Sequence, residues 1–105
     1  MKFTVDEFMA MLPLAATEKW KDGVWDIEPF EKDGVRLVFF APRGADNQNA
    51  HDEDEFYFIA RGTADLVIGS ARHYAQAGDA FYVAAGIDHH FETMSSDFAT
   101  WAIFF

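Results

Sequence analysis

The sequence contains no cysteine and only eight lysine and arginine residues. The missing cysteine excludes disulfide bridges, thiolate metal ligands and cysteine nucleophiles. The eight basic residues face 18 acidic ones, which gives a formal net charge of -10. A surface this acidic repels phosphate backbones and anionic membranes. We therefore expect neither a nucleic acid nor a membrane as a partner.

Long hydrophobic runs are also missing. No stretch approaches the roughly 20 apolar residues that a membrane-spanning helix needs. The first eight residues, MKFTVDEF, carry acidic side chains where a secretory signal peptide has a basic flank followed by an apolar run. From these two features we expect a cytoplasmic protein.

What the sequence does contain is enough apolar material for one core. Half of the 105 residues are hydrophobic and 17% are aromatic. Disordered chains are poor in aromatic residues, and a chain of this length suits one domain. We therefore predict a single domain that covers residues 1–105.

The chain opens with a helix and continues with strands. Thr4 and Glu7 have the spacing of a capping box, and Pro13 marks the end of a short helix. Beyond it, short runs rich in Val, Phe, Tyr and Ile alternate with turn sequences, and this pattern is typical of an all-β sandwich or barrel. The predicted strands are residues 24–30, 35–41, 55–61, 64–69, 72–76, 80–84, 89–94 and 98–105.

The last predicted strand, residues 98–105, is unusually apolar for a chain end. As an exposed edge strand it would aggregate. We therefore expect it to be central in a sheet or buried in a dimer, and we favour a homodimer that packs sheet on sheet. Trp101 in this run is interpreted as a core or interface residue.

Ionisable side chains crowd the entrance to the third predicted strand, in the segment HDEDEFYFIARG at residues 51–62. Because side chains alternate faces along a strand, a strand that extended back from Tyr57 would place Asn49, His51, Glu53 and Glu55 on the face of Tyr57. His51 and Glu55 would then occupy two corners of a metal site, and His89 at the start of a later strand is the candidate for a third. Imidazole and carboxylate without thiolate suit one divalent transition metal ion: Fe, Mn, Zn, Ni or Co.

These residues resemble the two sequence motifs of the cupin superfamily, whose members are small jelly-roll β-barrels. His51, Glu55 and Gly62 match the second His, the Glu and the closing Gly of the first motif, and Gly78, Gly86 and His89 match the second motif. The resemblance covers roughly residues 35 to 105. It implies an all-β cupin barrel of about eight to ten antiparallel strands with His51, Glu55 and His89 as metal ligands.

The sequence departs from the motifs at several positions. Asn49 stands where the first His of the first motif is expected, and Ala84 and Thr93 replace a Pro and an Asn of the second. A complete cupin site holds its metal by three His and one Glu, so three of four ligands remain. The amide oxygen of Asn49, or of neighbouring Gln48, is a candidate weak fourth ligand; otherwise water fills the position.

The remaining polar and aromatic candidates receive simpler interpretations. Tyr57 and Phe91 share the inward parity of the ligands and are predicted to line the pocket. His90 is expected to point outward and His73 to be solvated. Glu53 is a candidate for supporting the site or acting as a general base. An anionic substrate would need Arg61 or Arg72 to turn toward the mouth.

The resemblance leaves three functions open. The first is a metal-dependent enzyme, of dioxygenase type, that acts on a small organic substrate in the barrel. The second is a small-molecule binding or sensing module without turnover, which the missing His favours. The third, a sugar isomerase or epimerase, ranks last because no inward acid–base pair beyond the metal candidates stands out.

Overall fold

A computed structural model describes all 105 residues. It contains one helix, α1, at Val5–Met11, and eight strands. The strands are β1 Asp26–Lys32, β2 Val35–Phe40, β3 Glu55–Arg61, β4 Thr63–Ile68, β5 Ala71–Gln76, β6 Ala80–Val83, β7 His89–Glu92 and β8 Ala99–Phe104.

The strands form two antiparallel sheets. Five strands pair in the order β1-β2-β8-β3-β6, and three pair in the order β5-β4-β7. Eight antiparallel strands with one short helix confirm the fold class expected from the sequence. The helix is also capped as predicted, since the Thr4 hydroxyl oxygen accepts from the Glu7 backbone N–H at 3.2 Å.

The first strand begins later than predicted, at Asp26 instead of residue 24. Val24 instead forms an isolated bridge with Leu14. Pro29 lies inside β1, where the pairing register with β2 shifts. A proline cannot donate to a sheet, and it is tolerated here because β1 is an edge strand.

Side chains from both sheets meet in the main core. They are Val38, Tyr57, Ile59, Ala64, Leu66, Ala75, Val83, Phe91, Phe98, Ala102 and Phe104. These residues alternate with exposed ones along their strands; in β3, for example, Glu55, Tyr57 and Ile59 are buried while Phe56 and Phe58 are exposed. The barrel interior is therefore lined by one face of each strand.

Helix α1 covers part of the outside of the larger sheet. Its buried residue, Phe8, contacts the rings of Phe39 and Trp101 at centroid distances of 6.0 and 5.8 Å. Trp101 also packs edge-on against Phe39 at 4.9 Å. Trp101 is therefore part of a second, smaller core between the helix and the sheet.

The apolar C-terminal run forms β8, which pairs with β2 on one side and β3 on the other. The expectation that it is central in a sheet is thus confirmed. Further along the outside of the same sheet, an exposed aromatic face consists of Phe56, Phe58, Tyr82 and Phe105. The homodimer expected from the sequence stays a prediction, and this face is where we expect a second copy to pack.

None of the helical structure has the length and apolar character needed to cross a membrane. The cytoplasmic location expected from the sequence stays a prediction.

Candidate metal centre

Three side chains from separate parts of the chain meet inside the barrel. His51 lies in the loop before β3, Glu55 is the first residue of β3, and His89 is the first residue of β7. One ligand atom from each residue lies within 4.8 Å of the other two. The structure therefore brings together the three residues that the sequence predicted as ligands.

The contact between Glu55 and His89 is close but is not a hydrogen bond. Oε1 of Glu55 and Nε2 of His89 are 2.8 Å apart, and both side chains are only 2% exposed. The two atoms are not aligned as donor and acceptor, and neither has another hydrogen-bond partner. Buried polar atoms without a partner are costly, so we expect both atoms to bind a further group.

A divalent cation fits that requirement. Two ligands that bind one metal at right angles, with bonds of about 2.1 Å, lie about 3 Å apart. The separation of Oε1 and Nε2 agrees with this geometry. The donors are imidazole nitrogen and carboxylate oxygen, which suit first-row divalent ions.

His89 is oriented for ligation by its own backbone neighbourhood. Its Nδ1 lies 2.8 Å from the carbonyl oxygen of Ile87. A carbonyl only accepts, so Nδ1 carries the hydrogen and Nε2 is the nitrogen directed at Glu55. Burial lowers the pKa of His89, whereas Glu55 and the Ile87 carbonyl together raise it by more, so the net shift is upward. Cation binding at Nε2 requires the neutral form of the imidazole.

His51 reaches the cluster from a loop that is tied to the neighbouring turn and strand. Its carbonyl oxygen accepts from the Gly86 N–H at 2.7 Å, and Asp54 exchanges two backbone hydrogen bonds with Phe105 at 3.1 and 3.0 Å. The imidazole packs edge-on against the Phe104 ring at 5.1 Å. These contacts fix the position of His51 although it lies outside any strand.

The strand does not extend back from Glu55 as the alternation argument assumed. Glu53, predicted to point inward, lies on the rim and is bound by the guanidinium of Arg36 through hydrogen bonds of 3.0 and 2.6 Å. This fork holds the pKa of Glu53 below its usual value. Glu53 is therefore occupied by an ion pair and does not face the ligands.

The structure does not bring Asn49 into the cluster. Its side chain is exposed, on the wall of the adjoining cavity. The preceding residue, Gln48, is the one that turns inward, with its Oε1 3.2 Å from Nε2 of His51 and 3.4 Å from the hydroxyl of Tyr57. The parity argument favoured Asn49 because it treated this loop as a strand.

A cavity of about 1070 Å³ adjoins the cluster, and His51, Glu55 and Tyr57 line it. Tyr57 is thus a wall residue as predicted, and burial raises the pKa of its phenol well above the usual value, so the phenol is neutral. Phe91 does not line this cavity. It packs behind Tyr57 at a ring distance of 4.8 Å and borders a separate, smaller cleft, because its strand, β7, faces the core between the sheets.

The two arginines that an anionic substrate would need at the mouth form ion pairs elsewhere. Arg61 pairs with Asp6, and Arg72 pairs with Asp65 and Glu92 on the smaller sheet. The arginines that line the cavity are Arg36 and Arg43, and Lys19 and Lys21 line it as well. Sequence reasoning missed all four.

Each of these two arginines has a distinct setting. Arg36 lies over the Phe104 ring at 4.4 Å. It shares the strand face of Val38 and Phe40 on β2, which both line the cavity, so strand alternation could have predicted its position. Arg43 is held by three backbone carbonyls, those of Ala41, Pro42 and Phe98. No sequence pattern indicates that arrangement.

The other two histidines lie away from the cluster. His90 is half-buried, and its Nε2 lies 2.6 Å from Oε2 of Glu92. His73 is exposed on β5. His73 thus serves as a control position for histidine substitutions.

Comparisons with known proteins agree with the fold. The family model described as a cupin domain, Cupin_2, matches residues 36–105. The chain belongs to the cupin family. An uncharacterised protein from Streptomyces coelicolor is 34% identical over 91 residues, which are 75% of this chain and 87% of that protein.

Solved structures show the same cupin barrel. A Cupin 2 conserved barrel domain protein from Salinispora arenicola is 22% identical with a TM-score of 0.65, covering 76% of this chain and 73% of its own. A cupin-2 domain containing protein from Shewanella frigidimarina is 13% identical with a TM-score of 0.71, covering 96% and 91%. These likenesses show the fold. The His–Glu–His cluster in this cupin adds that it can hold a metal ion.

Proposed function

We propose that this cupin is a metal-dependent enzyme of the dioxygenase type that acts on a small organic substrate in its cavity. The observation that carries the proposal is the buried pair of Glu55 Oε1 and His89 Nε2, which have no hydrogen-bond partner. Iron or manganese, when bound, would supply open coordination positions and redox chemistry for oxygen.

The chain's own residues would bind and shield the substrate. The cavity is large enough for a small organic molecule, and its barrel wall is apolar around Val38, Phe40, Ala102 and Phe104. The phenol of Tyr57 stays neutral and offers one hydrogen-bond donor beside the ligand cluster. Water is therefore displaced on one side while a few polar groups orient the substrate on the other.

Residues 19–26 form another part of the cavity wall and bring two tryptophans, Trp20 and Trp25, to it. The guanidinium of Arg43 lies over the Trp25 ring at 4.9 Å. Aromatic walls favour a substrate with a flat apolar part, such as a catechol or a flavonol.

The experiment is oxygen uptake by protein loaded with iron(II) or manganese(II), measured with catechols, flavonols, thiols and diketones. The variant Glu55→Gln keeps the shape of the side chain and removes its charge, so we expect it to abolish uptake. The matched control His73→Ala alters a histidine outside the site and should retain full uptake. Oxygen uptake by Glu55→Gln at the rate of the unaltered protein would contradict the proposal.

A second candidate, a binding or sensing module without turnover, is favoured by one observation: Asn49 stands where the first motif has its first histidine. A metal held by fewer histidines is held less firmly. The same experiment separates the two candidates. Saturable binding of a panel compound by calorimetry, with no oxygen uptake and no loss of the compound, would favour the module.

A further inference from the structure

Gln48 precedes Asn49, the residue that stands where the first cupin motif has its first histidine. It is half-buried, lines the cavity, and directs its amide oxygen toward His51 and Tyr57. Its neighbour Asn49 is exposed. Of these two residues, Gln48 is therefore the better placed to add an oxygen donor to the cluster.

The orientation of the Gln48 amide follows from chemistry. Its Nε2 lies 2.6 Å from Oδ2 of Asp46. A carboxylate oxygen accepts hydrogen bonds, so the NH2 group must face Asp46 and Oε1 must face the cluster. The reverse orientation would set two acceptors against each other at that distance.

Asp46 is itself held in place. The same Oδ2 accepts from the backbone N–H of Phe91 at 2.8 Å, on strand β7 two residues after His89. Oδ1 accepts from the Gln48 backbone N–H at 3.3 Å. The loop residue is thus fixed relative to the strand that carries a predicted ligand, and a fixed donor loses little entropy on binding.

The surroundings of Oε1 suit a cation. Oε1 lies 3.2 Å from Nε2 of His51, a separation close to the roughly 3 Å expected of neighbouring ligands on one metal. The Tyr57 hydroxyl donates to the same oxygen at 3.4 Å, which is a long hydrogen bond. A neutral amide oxygen is a weaker donor than imidazole but suits hard and borderline divalent ions.

We propose that the Gln48 amide oxygen is a ligand of the metal centre, takes the position left by the missing histidine, and is held there by Asp46. This inference rests on the metal site of the proposed function. It makes the donor set two imidazoles, one carboxylate and one amide oxygen.

The test uses Mn(II) alone as the probe. Its electron paramagnetic resonance lines broaden in water enriched in the magnetic oxygen isotope, and the broadening counts the waters on the ion. We expect Gln48→Leu, which has similar size and no oxygen, to bind Mn(II) about 10- to 100-fold more weakly and to carry one more water than the unaltered protein.

Asn49→Leu is the matched control, because it removes an amide from the adjacent residue, which is exposed. We expect its Mn(II) affinity and water count to equal those of the unaltered chain. Circular dichroism and thermal unfolding of each metal-free variant establish that the fold is retained.

The outcomes are distinct. An unchanged water count in Gln48→Leu, with Mn(II) still bound, would overturn the ligand role and leave Gln48 as a positioning residue for His51, with the proposed metal site intact. An extra water in Asn49→Leu instead would assign the position to Asn49. An unaltered chain that binds no Mn(II) would overturn this inference and the proposed function together.

Discussion

Glu55 and His89 begin two strands that lie in different sheets, yet Oε1 of Glu55 stands 2.8 Å from Nε2 of His89. Both atoms are buried, and neither is satisfied by a hydrogen bond. Stability alone does not explain such a pair, since apolar residues of similar volume are often at least as stabilising. The pair is explained if it binds a cation.

The variant Glu55→Gln should therefore separate stability from metal binding. In the metal-free protein we expect only a small change in its melting temperature, because the amide keeps the shape of the side chain and can still contact His89. Added Mn(II) should raise the melting temperature of the unaltered chain by more than that of the variant, since a neutral amide is a weaker donor than a carboxylate. Differential scanning fluorimetry with and without metal measures both. A metal-free variant that melts far lower would show that Glu55 has a structural role instead.

Glu53 tests the boundary of the site. It pairs with Arg36 at the rim, and the ion pair is partly exposed. We expect Glu53→Gln to change the free energy of unfolding by less than about 1 kcal/mol, and to leave Mn(II) affinity unaltered. Urea denaturation and metal titration provide the two values. A strong loss of Mn(II) affinity would show that Glu53 supports the ligands.

Gly62, in the turn between β3 and β4, is predicted to resist substitution more than Gly69, in the turn between β4 and β5. Gly62 has φ +69°, and a Cβ there would lie 2.3 Å from Ser95 Oγ and 2.9 Å from Phe98 Cα. Gly69 has φ +59° and open space around it. We expect Gly62→Ala to cost about 2 to 5 kcal/mol and Gly69→Ala only about 1 to 2 kcal/mol. Equal costs by urea denaturation would mean that the contacts at Gly62 are easily relieved.

The exposed aromatic face gives a prediction for assembly. Light scattering at micromolar concentration should report about twice the 11.9 kDa chain mass, because a second copy presents the same face and a twofold pairing buries both. Phe56→Glu should yield a monomer. Tyr74→Glu, which alters an exposed aromatic residue on β5 outside that face, should not. A monomer of the unaltered chain would contradict the predicted homodimer.

The sequence was informative where structure is local and regular. The spacing from His51 to Glu55 follows from the motif, and the alternation from Glu55 to Ile59 follows from one strand. His89 could be placed through the second motif. Asn49 and Glu53 were misplaced because residues 41–54 form a loop, in which hydrogen bonds to Arg36, Asp46 and Gly86 decide side-chain direction instead of strand alternation.

Polar contacts between residues far apart in the sequence could not be predicted either. The contact of Asp46 with the Phe91 N–H spans 45 residues, and that of Arg43 with the Phe98 carbonyl spans 55. No local pattern encodes such pairs, because they depend on how two sheets close into a barrel. Arg36 was within reach of prediction, since its strand was identified and its parity with Val38 could be followed.

The most direct measurement is the metal content of untagged protein purified without chelator, compared with that of His89→Ala. We expect about one equivalent of a single transition metal per chain in the unaltered protein, and none in the variant, with circular dichroism unchanged. Equal metal content in the two proteins, or a chain that takes up no metal even when it is supplied, would contradict the His51–Glu55–His89 centre.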